Sequence, residues 1–205
     1  MLRDATTASE VVIAHASPIV PATHVRSTLI QSSVNMLKAR GHFDGYIRLL
    51  PAEFHDPVLN TIAASWLPIE VGVAHYRACD ALLLSPTELI AIGEDVGDRI
   101  QGTFMRTLTQ AARGAGVSPW TLFKRFDKLW ERLLIGGSFE VTKVGPKDLA
   151  IEVCSARLPH FQYFRNGFCG VVRAGFKFVG VRVAFVKVTR WDRATDRFAM
   201  RAAWA

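Results

Sequence analysis

Residues 138–154 read SFEVTKVGPKDLAIEVC, and this stretch decides the fold class. Leu149, Ile151 and Val153 alternate with Ala150 and Glu152, the period-two pattern of a strand buried on one face. Phe139 to Val144 reads as a second strand, and Gly145-Pro146-Lys147-Asp148 between the two is turn chemistry. The spacing predicts a hairpin. Beyond it, Pro159 to about Gly175 is helical, with Phe161, Phe164, Phe168 and Val171/Val172 on one face. Alternation returns at Val179, Val181, Val183 and Phe185, and again at Phe198, Met200, Ala202 and Trp204, with Thr189 to Asp196 joining the two runs. The C-terminal third is thus predicted as β-β-α-β-β, a four-stranded antiparallel sheet.

Upstream the period changes to that of helices. Ser85-Pro86-Thr87-Glu88 reads as a capping box: a Ser cap, Pro in the first helical position and Glu three residues after the cap. Leu89, Ile92, Val96 and Ile100 form the buried stripe of the helix that follows. Gly102 and Gly114/Gly116 punctuate, with a second helical stretch between them. Ser118-Pro119 opens another helix in which Leu122, Phe126, Leu129 and Leu133 recur at helical spacing. Phe123, Trp130 and Leu134 widen that face, Lys124, Arg125, Lys128, Glu131 and Arg132 cover the other, and Gly136-Gly137 ends it. An earlier helix spans roughly Val25 to Arg40, marked by Leu29, Val34 and Leu37 and stopped at Gly41. The fold class is therefore α+β, a helical layer packed on a C-terminal antiparallel sheet. Residues 25–205 form a single α+β domain, and residues 1–24, rich in Ala, Thr, Ser and Pro, form an arm or edge strand.

At 205 residues, half of them hydrophobic, the chain can bury a core, which excludes a disordered class. No apolar run reaches the length of a membrane span. The first ten residues lack the basic start and apolar region of a secretory signal, so a cytoplasmic location is expected. Cys79, Cys154 and Cys169 are an odd number at unrelated spacings, which fits reduced, buried thiols. The net charge of +7 is localised: residues 164–205 hold nine basic and two acidic side chains, and the remainder holds sixteen of each. Arg182, Lys187, Arg190, Arg193, Arg197 and Arg201 give this region either a solvated sheet face or a basic surface suited to an acidic protein, an anionic lipid or, less favoured, nucleic acid.

The phosphate-loop, dinucleotide, zincin and serine-hydrolase motifs are all absent. The six histidines stand singly, and only His75 and Cys79 share a helical i, i+4 spacing, so no metal site is predicted. Cys169 follows His160 by nine residues, about two and a half helical turns, too far for the pair to hydrogen-bond along one helix. Gly167, Gly170, Ala174 and Gly175 make a small-residue strip that admits close approach of another element or a flat ligand. Glu94, Asp95 and Asp98 cluster on the capped helix as carboxylates or as a solvated face. Phe123, Phe126, Trp130, Phe161, Phe164, Phe168 and Cys169 line an apolar pocket between helices and sheet, or fill a core; the sequence leaves both open.

Arg40-Gly41-His42-Phe43, Ala63-Ala64-Ser65-Trp66-Leu67-Pro68, Ser85-Pro86-Thr87-Glu88, Ser118-Pro119-Trp120 and the closing Phe198 to Trp204 resemble a myxobacterial paralogous family of unknown function. That family is similar to the 4-vinyl-reductase-type, haem-NO-binding and TRAPP-like ligand-binding superfamily. The resemblance implies a helical layer on a twisted antiparallel sheet, an apolar pocket or homodimer face, and a sensory or scaffold role rather than an enzymatic one. It implies no cofactor here. The haem-binding branch carries a Tyr-x-Ser-x-Arg signature that Tyr46-Ile47-Arg48 and Tyr163-Phe164-Arg165 do not supply, so haem is set aside although His75 or His42 could ligate iron. The expected function is a non-catalytic module that binds a small apolar ligand or a protein partner. The alternative is an interaction protein acting through its basic C-terminal surface.

Overall fold

A computed structural model of the chain describes residues 9–111 and 118–205, with side chains described outside 101–111. In chain order the elements are β1 (Glu10–Ile13), β2 (His24–Arg26), α1 (Ser27–Ala39), α2 (Phe43–Leu49), α3 (His55–Leu59), β3 (Trp66–Pro68), α4 (Ile69–Asp80) and α5 (Pro86–Ala111). There follow α6 (Pro119–Phe123), α7 (Phe126–Leu133), β4 (Leu134–Ile135), β5 (Ser138–Gly145), β6 (Asp148–Cys154), α8 (Gln162–Phe178), β7 (Ala184–Asp192) and β8 (Arg197–Trp204). The fold is α+β.

The main sheet is antiparallel in the order β1-β5-β6-β8-β7. Phe139, Val141, Leu149, Ile151, Val153, Phe198, Met200 and Ala202 point to its buried face, as period-two alternation requires. Phe168 of α8 meets Phe198 of β8, and Phe176 of α8 meets Trp204. Alpha-helix α8 therefore lies on the sheet, and α5 packs against α8 more extensively than any other pair of elements meet.

Glycine makes that helix pair close. A Cβ on Gly93 would stand 2.0 Å from the Gly167 carbonyl oxygen, and one on Gly170 would stand 2.1 Å from that of Ile90. The strip read on α8 thus serves backbone approach by α5. Ser85 Oγ accepts the Glu88 N–H at 3.2 Å, but the Glu88 carboxylate turns to His42 Nε2 at 2.6 Å, so half of the predicted capping box forms.

Several expectations need correction. The main sheet has five strands, because β1 joins β5, and a second sheet of three short strands, β3-β2-β4, lies outside it. The strand read over Val179–Phe185 begins only at Ala184. Alpha-helix α8 continues to Phe178, and the chain then turns through Gly180 at φ +80°, with the Val181 N–H donating to the Phe176 carbonyl at 3.0 Å. The connection read over Thr189–Asp196 is strand up to Asp192. The helix after Ser118 is two helices, α6 and α7, divided at Lys124–Arg125. Gly102 does not interrupt α5, whereas Gly114 and Gly116 fall outside the described residues, as do residues 1–8 of the arm.

Candidate functional site

The aromatic residues divide between a filled stack and a void. Phe123 packs tilted against Phe126 and Phe176, and Phe126 meets Phe139 edge-to-face and Phe168 at a tilt, all buried between α6, α7, α8 and the sheet. Trp130, Phe164 and Phe168 instead line a cavity of about 50 Å³ together with residues of α1, α4 and α5. Leu29, Ile92, Val96, Leu133 and Val171 complete its apolar walls, and Ser33, Tyr76 and Tyr163 supply the hydroxyl-bearing side. Phe161 is half-buried at the start of α8 and outside that lining, and Cys169 is buried on the same helix, its thiol pushed up to about 12 by burial.

Behind the hydroxyl side is a polar network that sequence reasoning did not anticipate. Tyr46 Oη lies 2.7 Å from His75 Nδ1, His75 Nε2 lies 3.0 Å from Ser33 Oγ, and Ser33 Oγ lies 2.7 Å from Tyr163 Oη. All four side chains are buried. Burial depresses the His75 pKa to about 3, so the ring is neutral near pH 7 and donates at one nitrogen while accepting at the other. The protons of the chain Tyr46–His75–Ser33–Tyr163 therefore run in one direction. Cys79 Sγ packs 3.6 Å from His75 Nε2, and burial raises its pKa well above the usual thiol value. The visible signal was the His75/Cys79 spacing; what it marks is this network. Among the described residues no three His, Cys, Asp or Glu side chains are grouped to hold a metal ion.

The basic surface is partly neutralised. Glu152 binds Arg190 and Arg197, and Asp148 binds Arg201 at 2.6 Å. Arg182, Lys187 and Arg193 make no such pair among the described residues, and Lys187 lies on the edge strand β7 beside Phe185, which is 72% exposed. Two members of the acidic cluster are likewise engaged by neighbours: Glu94 pairs with Arg173 and Lys177, and Asp95 with Arg40. His160 faces Asp196 at 3.1 Å, not Cys169. No described helix is long and apolar enough to cross a membrane.

No protein-family model and no curated protein matches the chain. Solved structures do. An Fe(II) unliganded H-NOX protein from K. algicida superposes with a TM-score of 0.61 at 8% identity, covering 88% of this chain and 96% of that one. A protein from work on modulating haem redox potential through porphyrin distortion gives 0.57 at 12% identity, covering 87% and 99%. A third, from work on haem distortion in the H-NOX family, gives 0.56 at 13% identity, covering 87% and 94%. The chain thus has the α+β fold of the H-NOX domains. The likeness is one of fold, and the myxobacterial part of the resemblance gains no support.

The expectation of no cofactor, with haem set aside, is corrected by these neighbours, which point to haem as a group this fold accommodates. The signature judged missing is also present in part. Val153-Cys154-Ser155-Ala156-Arg157 keeps the Ser and Arg of Tyr-x-Ser-x-Arg, with Val153 in the tyrosine's place. The interior tested against a haem is nevertheless tight. Ligand clefts of cofactor size run to about 300–1,000 Å³, whereas this cavity is about 50 Å³. Both nitrogens of His75 are engaged, and the Arg157 guanidinium is turned to Glu70 at 2.7 Å. In the closed arrangement described, the lining residues do not fit the group.

Proposed function

We propose that the protein is a non-catalytic sensory module whose interior binds a small apolar ligand in the cavity between α5, α7 and α8. The observation that carries this reading is the cavity itself: walls almost wholly of Leu, Ile, Val, Phe and Trp carbon, with hydroxyls on one side backed by a satisfied buried network. An empty apolar cavity stays dry and takes up apolar guests that match its volume. The shared fold supports a sensory, ligand-binding role, since the solved structures it resembles include an Fe(II) H-NOX protein and one studied for its haem redox potential. Helix α5 borders the cavity and rests on α8 through glycine contacts, so a guest that strains Ile92 or Val96 is felt along the whole helix pair.

The test is native mass spectrometry with an absorption spectrum on gently purified protein, followed by titration with hemin and with benzene. A co-purifying small mass, or thermal stabilisation by benzene, is the expected result. A Soret band saturating at one equivalent of hemin makes haem the ligand and requires α5 and α8 to open. A clean apo mass with no stabilisation by either contradicts the proposal.

A second reading rests on Arg182, Lys187 and Arg193, which have no acidic partner among the described residues, and on the exposed Phe185 two residues from Lys187. In that reading the edge strand β7 meets an acidic protein. Binding that weakens steeply with salt is its expected mark.

A further inference from the structure

Strand β7 is an open edge of the main sheet: β8 lies on one side of it and no described strand on the other. Two hydrogen bonds fix the direction of its free backbone groups. The Val183 carbonyl accepts the Ala205 N–H at 3.2 Å, and the Trp204 N–H, opposite Ala184, turns away from β7 to donate to the Lys147 carbonyl at 3.1 Å. An antiparallel ladder alternates. Phe185 and Lys187 therefore aim their N–H and C=O groups at β8, and Ala184 and Val186 aim theirs outward. Ala184 to Lys187 line a groove of about 610 Å³ that Arg173 of α8 and Arg201 of β8 also border. The open backbone thus faces a space in which an extended chain can lie.

The chemistry around the groove selects that chain. No residue lining it is acidic. Arg173 holds Glu94 and Arg201 holds Asp148, but Lys187 has no carboxylate partner among the described residues. Neither has Arg182, two residues before β7, nor Arg193, immediately after it. A lysine on the edge and a bulge, here between Val188 and Arg190, are devices by which edge strands refuse uncharged strands and copies of themselves. A second copy would bring the same unpaired cations to the join. A strand that carries carboxylates turns the refusal into attraction, and the exposed Phe185 gives its apolar side chains a surface to cover.

We infer that β7 takes up an acidic, extended segment of a partner protein as a sixth strand of the main sheet, bonded to the outward N–H and C=O groups of Ala184 and Val186. That segment carries a carboxylate opposite Lys187 and, two positions away on the same face, an aromatic or β-branched side chain opposite Phe185. Resting on the reading that β7 meets an acidic protein, this assignment adds the manner of binding: main-chain bonds supply affinity and the paired side chains supply selection. It needs nothing from the interior cavity.

The probe is the capped peptide Glu-Val-Glu-Val-Phe-Val-Glu-Val-Glu, whose alternate positions set the acids and the phenylalanine on one face. Its binding to the full chain is followed by fluorescence anisotropy at low and high salt and by amide hydrogen exchange. Saturable binding that weakens with salt and slows exchange at Ala184 and Val186 by about tenfold or more is expected. A peptide with Lys at each Glu, and one with Pro at the second and third Val, each bind about tenfold more weakly. Val186→Pro removes an outward donor without touching a bond to β8 and costs about tenfold in affinity, as does Lys187→Glu. Circular dichroism checks the fold of both variants, and hydrogen exchange on the unsubstituted protein decides alone if Val186→Pro does not fold. Equal binding of the proline peptide, with no slowing at Ala184 and Val186, overturns strand addition and leaves a basic surface that meets acidic proteins. No binding of the acidic peptide overturns the assignment; polyglutamate binding in that case leaves the surface reading standing, and its failure to bind removes both. Dimers of the peptide-free protein in sedimentation, abolished by Val186→Pro, put a second copy on the edge and overturn the acidic partner.

Discussion

Gly170→Ala tests the packing on which the site is built, because two effects of opposite sign meet there. In the interior of α8, alanine is favoured over glycine by about 1 kcal/mol from backbone entropy alone. The new methyl carbon would stand 2.1 Å from the Ile90 carbonyl oxygen and 2.6 Å from the Glu94 nitrogen. Both are backbone atoms of α5 and cannot rotate away. Ordinary contact needs about 3.4 Å or more, so the helices must separate by over an ångström. Overpacking of this kind costs about 1–3 kcal/mol, and a clash with rigid backbone belongs at the upper end. The net effect is a loss of about 2 kcal/mol, or about 4–8 °C in Tm for a chain of this size. Gly167→Ala is the control one turn away: its Cβ would meet nothing nearer than the Leu89 carbonyl oxygen at 4.0 Å. That variant is expected to be neutral or more stable by up to about 1 kcal/mol. Urea denaturation of both measures the difference. If Gly170→Ala is as stable as Gly167→Ala, the α5–α8 contact is wrong.

His75 makes stability depend on pH in a direction that can be worked out. Its folded pKa lies near 3 against an ordinary 6.5, so the unfolded chain takes up a proton that the native state refuses; the stability it contributes is complete above pH 6.5 and is lost as pH falls toward 3. Denaturation midpoints measured between about pH 8 and pH 5 should fall more steeply for the parent protein than for His75→Gln; parallel curves refute a buried neutral imidazole. Tyr46→Phe removes the hydroxyl 2.7 Å from His75 Nδ1 and leaves a buried polar atom unpaired, a cost of about 1–3 kcal/mol by chemical denaturation. Cys79, Cys154 and Cys169 are all buried with raised pKa values, so a thiol reagent should modify none of them in the native state and all three after unfolding.

The C-terminal sheet was legible because burial on one face writes itself as alternation. Leu149, Ile151 and Val153 could hardly be misread. Val179, Val181 and Val183 alternate as well, yet they belong to a helix end and a turn. A short alternating run cannot by itself distinguish a half-buried strand from a helix exit, and the Gly180 stop was the better signal. Beta-strand β1 shows why edges are harder: Glu10–Ile13 is short and its burial is supplied by β5, far away in sequence. Trp130, Phe164 and Phe168 were singled out as pocket residues and do line the cavity, but nothing in their spacing separated them from Phe123 and Phe126, which only fill the stack. The polar network was invisible because Tyr46, His75, Ser33 and Tyr163 come from four helices and only tertiary packing unites them. Haem was dismissed on a signature sought around tyrosines, so Ser155 and Arg157 were passed over once Val153 stood in the first position.

The most direct test of the interior site is a crystal of the protein pressurised with xenon, an apolar probe that needs no knowledge of the natural ligand. The account predicts a single strong xenon peak bounded by Val96, Trp130, Leu133, Tyr163 and Phe168, lost when Val96→Phe fills the space. Xenon bound elsewhere, or nowhere, would contradict an interior ligand site in this chain.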